Sequence, residues 1–274
     1  MSKQTRQRQL AQLKARREAE RRAARRRRAQ RLYGGLAILI LVVAVGAVVI
    51  VRGGGGGKAE ADLKADNPAP LDARADAPTA PGQVACGGSI PPRKPKPTFA
   101  KAPATSVKPS GTYELVFKTS CGSFTLKLDP KAAPVTTSSL LFLASKGVYD
   151  STWFHRIVPG GAQGIGVIQG GDPKGDGTGD AGYKLADELP KGKNPYKKYT
   201  VAMANSGPDT TGSQFFVNIQ DNPGTLLASN YTLVGTVTAG RAVIDKIAQV
   251  PVGGERGDTP TEAVWIEKVT VKKS

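Results

Sequence analysis

Residues 154–173, FHRIVPGGAQGIGVIQGGDP, crowd an aromatic ring, the only histidine of the chain, an arginine and a glutamine among glycines. A hydrolase would need a nucleophile with a base beside it, and His155 is the only imidazole available as that base. Its neighbour Arg156 is a cation, which disfavours a protonated imidazole, and no acidic orienter accompanies the pair. A zinc centre is excluded more firmly, because one histidine and two scattered cysteines cannot close a four-ligand site. In GDPKGDGTGD the acids Asp172, Asp176 and Asp180 stand four apart rather than two. No glutamate closes a calcium loop, and no Lys-Ser/Thr follows the glycines to hold phosphate, so the stretch reads as a glycine-rich surface turn. What is left is a reaction with neither nucleophile nor proton transfer, and it calls for no metal and no cofactor.

The elements that must position these residues lie between Gly111 and the C-terminus. TYELVFKT and GSFTLKLD alternate apolar and polar residues around an SCG turn, the pattern of a hairpin buried on one face. DPKAAPVTTSSLLFLASKG predicts a helix of about three turns, with Pro134 near its start, Leu140, Leu141 and Leu143 inside and Gly147 just past its end. Further strands are expected at TWFHRIV, GVIQGG, YTVAMAN, SQFFVNI, YTLVGTV and AVWIEKVTV, with a second helix at GRAVIDKIAQ. Many short strands with only two helices indicate a mainly β domain, an antiparallel sheet closed as a barrel. In QFFVNI the strand period puts Phe215 and Phe216 on opposite faces, so one of them is core.

Ahead of this domain the chain changes character three times. Residues 1–31 carry thirteen Lys and Arg against two Glu, +11 of the total +17, so the other 243 residues are only mildly basic. Nucleic acid is therefore not the partner that overall charge would suggest, although the arm alone could touch nucleic acid or anionic lipid. Residues 32–51, LYGGLAILILVVAVGAVVIV, hold no charge, and twenty helical residues span about 30 Å, the thickness of a bilayer's hydrocarbon core. This predicts a transmembrane helix in contact with the lipid bilayer. A cleaved signal would place a small-residue site close behind a shorter apolar run, whereas Ala59 and Ala61 lie well beyond this one. With RRAARRRRAQR on one side and only Arg52 and Lys58 near the other, the positive-inside rule makes the N-terminus cytoplasmic. The chain then reads as a single-pass cell-membrane protein whose C-terminal domain is extracytoplasmic.

Residues 52–110, rich in Gly, Pro and Ala, read as an extended, mobile, disordered tether. Cys86 in it and Cys121 in the domain fall on the oxidising side of the membrane. If they pair, they close a loop of roughly 34 residues, worth about 3–4 kcal/mol; two free exported thiols are the alternative.

The motifs YDSTWFHRIVPG, IQGGDP, GTGDAGY and VAMANSGPDTTGSQFFVNI, in this order within residues 111–272, resemble the cyclophilin-type peptidyl-prolyl cis-trans isomerases, in a membrane-anchored, actinobacterial-like form. The resemblance implies a closed eight-stranded antiparallel barrel capped by two helices over residues 111–274, and proline-containing polypeptides as substrates. Rotation about an X-Pro bond faces a barrier of about 18–20 kcal/mol because the nitrogen lone pair is delocalised into the carbonyl. A donor aimed at the prolyl nitrogen localises that pair and favours the twisted amide. Arg156 matches the family's arginine with this role, and an always-charged, rigid guanidinium suits it. Gln169 matches the glutamine that binds the substrate backbone as the carbonyl swings. Phe216 matches the floor of the proline pocket, Ala204 and Asn205 the strand that binds substrate backbone, and Gln214 lies beside them. His155 matches a family histidine whose work is packing and hydrogen bonding.

The chain departs from the family pattern in several places. Where the family reads PGFMIQGGDP, GGAQGIGVIQGG is longer, lacks the phenylalanine and places Val167 near the methionine position, which removes one aromatic wall unless Ile165 or another residue folds in. Leu226 and Leu227 stand where the family often has Trp-Leu. That tryptophan favours cyclosporin, so weak cyclosporin binding or none is expected. Tyr231 falls where many members have a histidine. These departures keep open a tethered, non-catalytic proline-binding module or chaperone as the alternative to an enzyme.

Overall fold

The computed structural model describes residues 82–92, 95–162 and 164–274. The arm 1–31, the span 32–51 and the tether up to residue 81 lie outside the described residues. Among the described residues no helix is long and apolar enough to cross a membrane.

The chain enters the domain as a hairpin, β1 (Tyr113–Thr119) and β2 (Gly122–Leu128), closed by Ser120 and Cys121. Gly122 takes φ +125°, the freedom that so short a connection requires. Helix α1 (Pro134–Ser145) follows. Proline occupies its first turn, where its missing N–H leaves no bond unmade. The Glu188 carboxylate closes that end, accepting the N–H groups of Val135 (3.0 Å) and Thr136 (2.8 Å) at the positive pole of the helix. Then come β3 (Thr152–Trp153), β4 (Arg156–Pro159), β5 (Gly166–Gly170), β6 (Thr200–Met203), β7 (Phe215–Asn218) and β8 (Leu233–Ala239), the short helix α2 (Arg241–Ile247), a small hairpin of β9 (Val252–Gly253) and β10 (Thr259–Pro260), and the long β11 (Trp265–Lys273).

Nine strands form one antiparallel sheet in the order β3-β11-β1-β2-β8-β6-β7-β5-β4, with β9 and β10 as a separate pair. This corrects the expected closed ring of eight strands, because among the described residues no ladder joins β3 to β4. The expected strand TWFHRIV is split. The Phe154 N–H donates to Val264 O (3.0 Å) on the β11 side, and two residues later Arg156 pairs with Gln169 of β5. The chain itself, at Phe154 and His155, connects the two edges of the sheet. Inside the curved sheet Phe117 stacks on Phe124 at 4.7 Å, Phe215 meets Phe117, Tyr149 and Phe154, and Leu140 and Leu143 of α1 join the same core.

The described part of the tether does not hang free, as its composition predicted. Cys86 and Cys121 are joined in a disulfide, Val84 forms a bridge with Ala263, and Ala85 is fully buried. Farther along, Phe99 packs edge-on against Phe142 of α1 and donates its N–H to Ala181 O (2.8 Å), and Ser106 N–H bonds to Ser138 Oγ. A few apolar anchors and one covalent bond outweigh the extended bias of a Pro/Ala-rich stretch, and the segment is a strap on the domain.

Candidate functional site

The strand registers bring the candidate residues together. Across four adjacent strands Arg156 (β4) faces Gln169 (β5), Gln169 faces Phe216 (β7), and Phe216 faces Ala202 (β6). Residues directly opposite in antiparallel strands project on one face of the sheet. Phe215 points into the main core inside the curved sheet, so this row lies on the outer face.

At one end of the row are polar side chains in a chain of hydrogen bonds. Gln214 donates its amide to two carbonyls, Gly177 O (3.0 Å) and Gly179 O (2.9 Å), which fixes the orientation of its side chain. Its Oε1 must then accept, and it takes the Gln169 Nε2–H at 2.9 Å. That leaves Gln169 Oε1 facing Arg156, whose Nη1 approaches to 3.5 Å. Arg156 Nε in turn lies 2.7 Å from the Asp258 carboxylate. Asp258, from the hairpin between β9 and β10, is a site residue that sequence reasoning missed. The GGERGD turn marks the hairpin, but nothing in its spacing connects it to Arg156, 102 residues away.

At the other end is an apolar cluster of Val167, Tyr196, Ala202, Phe216 and Leu227, with Val158, Ile165, Ala204, Tyr231 and Leu233 packed against it. The Tyr231 ring stands edge-on to Phe216 at 5.3 Å. Ile165 does fold into the wall that the missing aromatic would have formed. Gly166, just before Val167, cannot be replaced by anything larger, since Gln220 and Ile219 side-chain atoms lie 2.8–3.0 Å from where its Cβ would be. Gln220 also holds the lengthened loop, accepting from Gly161 N–H (3.0 Å) and donating to Gly164 O (2.8 Å). Leu227 joins the cluster, whereas Leu226 is 44% exposed and stays outside it.

Tyr196 is the second residue the sequence did not reveal. It is fully buried, and its hydroxyl donates to Tyr231 O (2.8 Å) and accepts from Tyr231 N–H (2.9 Å). Burial pushes its phenol up to about 12, so it stays neutral and keeps both bonds. Among the lysines of NPYKKY its only signal is its aromatic ring.

Ala204 N–H bonds to Gln214 O (2.9 Å), and the Asn205 amide donates to Asn230 O (2.8 Å), bracing the loop that carries Tyr231. Both residues line a polar recess of about 130 Å³ with Gln169, Gln214, Asp180 and Lys184. Among the described residues both ring nitrogens of His155 are buried without a hydrogen-bond partner, which corrects the hydrogen-bonding part of its expected role and leaves packing. Burial lowers its pKa; Asp172 opposes that shift and Arg156 adds to it, leaving a neutral imidazole unsuited to act as an acid near pH 7. The buried Asp172 organises the glycine-rich turn, accepting from Lys174 N–H (2.8 Å) and Gly177 N–H (2.6 Å). Among the described residues no three Cys, His, Asp or Glu side chains gather as metal ligands would. In sum, the surface offers a half-exposed guanidinium with two carboxamides in line with it, beside an apolar hollow floored by an aromatic ring.

Comparison with known proteins matches residues 114–271 to the family model for cyclophilin type peptidyl-prolyl cis-trans isomerase/CLD. Peptidyl-prolyl cis-trans isomerase B of Streptomyces anulatus is 40% identical over 172 residues, which cover 57% of this chain and 94% of the relative. Probable peptidyl-prolyl cis-trans isomerase B of Mycobacterium leprae is 39% identical over 172 residues, 58% of this chain and 56% of that protein. Among solved structures, a Cryptosporidium parvum cyclophilin type isomerase crystallised in the presence of the dipeptide Ala-Pro aligns with TM-score 0.51 and 25% identity, covering 59% of this chain and 99% of that one.

Proposed function

From the premise that this chain belongs to the cyclophilin-type peptidyl-prolyl cis-trans isomerase family and is an enzyme of that type, we propose that it accelerates X-Pro rotation in exported or cell-envelope polypeptides. The observation that carries the mechanism is the row Arg156–Gln169–Phe216 on one face of three neighbouring strands. A proline ring seated over Phe216, among Leu227, Val167 and Tyr231, brings its amide nitrogen towards Arg156. Planarity of that amide is the barrier, so a guanidinium N–H aimed at the nitrogen binds the twisted form better than either planar isomer. Gln169 and the backbone at Ala204 and Asn205 hold the flanking peptide while the carbonyl swings. The donors are already oriented by the Gln214–Gln169 chain, so little reorganisation accompanies the reaction. His155, neutral and buried, supports the Arg156 strand by packing and transfers no proton.

The same reading places the domain outside the cell membrane, anchored by residues 32–51 with the basic arm inside. The uncharged twenty-residue run and the charge asymmetry around it support this placement, and relatives from Streptomyces and Mycobacterium accord with an actinobacterial-like form. Substrates are then proline-containing segments of exported chains, cyclosporin binds weakly or not at all, and nucleic acid is not a partner.

The test is NMR exchange spectroscopy on an Ala-Pro peptide with the full-length chain and its Arg156→Ala variant. Acceleration that the variant abolishes while the domain stays folded is expected. Peptide binding without acceleration in the parent chain would convert the reading to a proline-binding module.

A further inference from the structure

Arg156 has a long, flexible stem, and its side chain is 36% exposed, so alone it would sample many orientations. Here its Nε–H is fixed by Asp258 Oδ2 at 2.7 Å, and the Asp258 side chain is only 7% exposed. Asp258 is itself held in place. Its backbone carbonyl accepts the N–H of Ile157, the residue after Arg156, at 2.8 Å, so the hairpin is docked on β4 through the Ile157 backbone as well as the Arg156 side chain. The other carboxylate oxygen, Oδ1, is buried with no hydrogen-bond partner among the described residues, and the exposed Arg256 reaches it only as an ion pair, Nε lying 3.4 Å away. The turn that delivers it has Gly254 and Gly257 at φ +76° and +66°, which only glycine adopts without strain.

How the carboxylate meets the guanidinium matters. A fork-to-fork grip on both terminal nitrogens would use up the donors a substrate needs. Contact through Nε engages only the edge of the planar fork that Nε–H shares with Nη2, and leaves Nη1 outside that edge, facing Gln169. The geometry points to Asp258 as the positioning residue of the site: it holds the Arg156 guanidinium so that its terminal N–H groups face the prolyl nitrogen. This inference rests on the role given to Arg156 above and adds that the role depends on a residue from a separate hairpin.

A double-mutant cycle in the full-length chain tests it, using an Ala-Pro peptide, kcat/KM from isomerisation, peptide affinity from NMR titration and the 15N-resolved Nε–H signal of Arg156. Asp258→Ala is expected to lower kcat/KM by about 10²-fold, since a misplaced catalytic group costs that much, with a much smaller change in peptide affinity and a loss of the protected Nε–H signal. Asp258→Asn keeps an oxygen acceptor for Nε–H, so it should retain the signal and most of the activity. In an Arg156→Ala background, Asp258→Ala should cost nothing further. An equal loss with and without Arg156, or full kcat in Asp258→Ala, would overturn the proposal. So would Asp258→Asn losing activity while its Nε–H signal persists; this variant also decides the matter if Asp258→Ala does not fold. If Arg156→Ala alone leaves the rate unchanged, the role of Arg156 itself fails, an outcome read without any change at Asp258.

Discussion

Cutting the Cys86–Cys121 bond should weaken the domain and loosen the substrate groove together. The disulfide closes a sequence separation of 35. Chain-entropy arithmetic, about 2.1 plus 1.5R ln n cal/mol/K, gives about 3.8 kcal/mol at 25 °C for that loop. For a domain of this size each kcal/mol moves the melting midpoint by about 2–4 °C, so a shift of about 8–15 °C is expected. The strap reports its own release. Both tryptophans of the chain, Trp153 and Trp265, meet edge-to-face at 5.1 Å and share a small cluster with Ala263 and Val84, two residues from Cys86. Trp265 Nε1 is buried there without a hydrogen-bond partner among the described residues, so detachment of the strap lets water reach it and should shift emission to the red. Farther along, Phe99 holds Ala181 O and lies against Gly182, close to the Gly179 carbonyl that orients Gln214. Turnover should therefore fall without vanishing, because the second anchor of Gln214, at Gly177, is independent of the strap. The assay is thermal unfolding followed by tryptophan emission, comparing the parent chain with the Cys86→Ser/Cys121→Ser double variant. An unchanged midpoint with unchanged emission would refute the view that the bond secures the strap.

Tyr196→Phe removes one hydroxyl but strands two backbone groups of Tyr231, and leaving buried groups unpaired costs about 1–3 kcal/mol; denaturant unfolding should show this, with weaker peptide binding as the Tyr231 wall relaxes. His155 has its pKa lowered by burial below the ordinary 6.5, so the unfolded chain binds the extra proton first. Its contribution to stability is full above pH 6.5 and is lost as pH falls from there towards the folded value, with a slope of at most about 1.4 kcal/mol per pH unit. Melting curves between pH 5 and 8 should show that slope, and His155→Phe should flatten it; isomerisation by the folded enzyme between pH 7 and 8 should be level. Cyclosporin should inhibit weakly, since Leu226 is exposed outside the apolar cluster, and Leu226→Trp should tighten inhibition in a competition assay.

How much of this was legible in the sequence follows from the range over which each signal acts. Strand alternation and helix punctuation are local, and the hairpin at residues 113–128 and helix α1 appear where composition put them. The residues of the FHR, QGGDP and MANSGPDTTGSQFF motifs converge because the strand registers align them, and no periodicity contains a register between β5 and β7, some fifty residues apart. Tyr196 and Asp258 were illegible for the same reason: each acts through a partner distant in sequence, Tyr231 for one and Arg156 for the other. The strap misled composition, since a few anchors at Val84, Cys86 and Phe99 decide its fate while its prolines and alanines set the average.

The lengthened loop bears most directly on activity, and its geometry favours a working site. Had residues 160–166 merely lost an aromatic wall, the hollow over Phe216 would be open on that side, and a proline ring would bury less surface there. Instead Gln220 ties the loop down at Gly161 and Gly164, and Asn222 does so at Gly166, accepting its N–H and donating to its carbonyl. Ile165 is thereby held against the cluster. Because Gly166 has no room for a side chain, the wall is rebuilt one residue earlier, in aliphatic form, while the polar half of the row is untouched. Under the proposed mechanism the change falls on the grip on the proline ring and spares Arg156, the donor assigned to the twisted amide. Ile165→Ala should accordingly raise KM for an Ala-Pro peptide with kcat little altered, and a fall in kcat at unchanged KM would show that the loop also shapes the transition state.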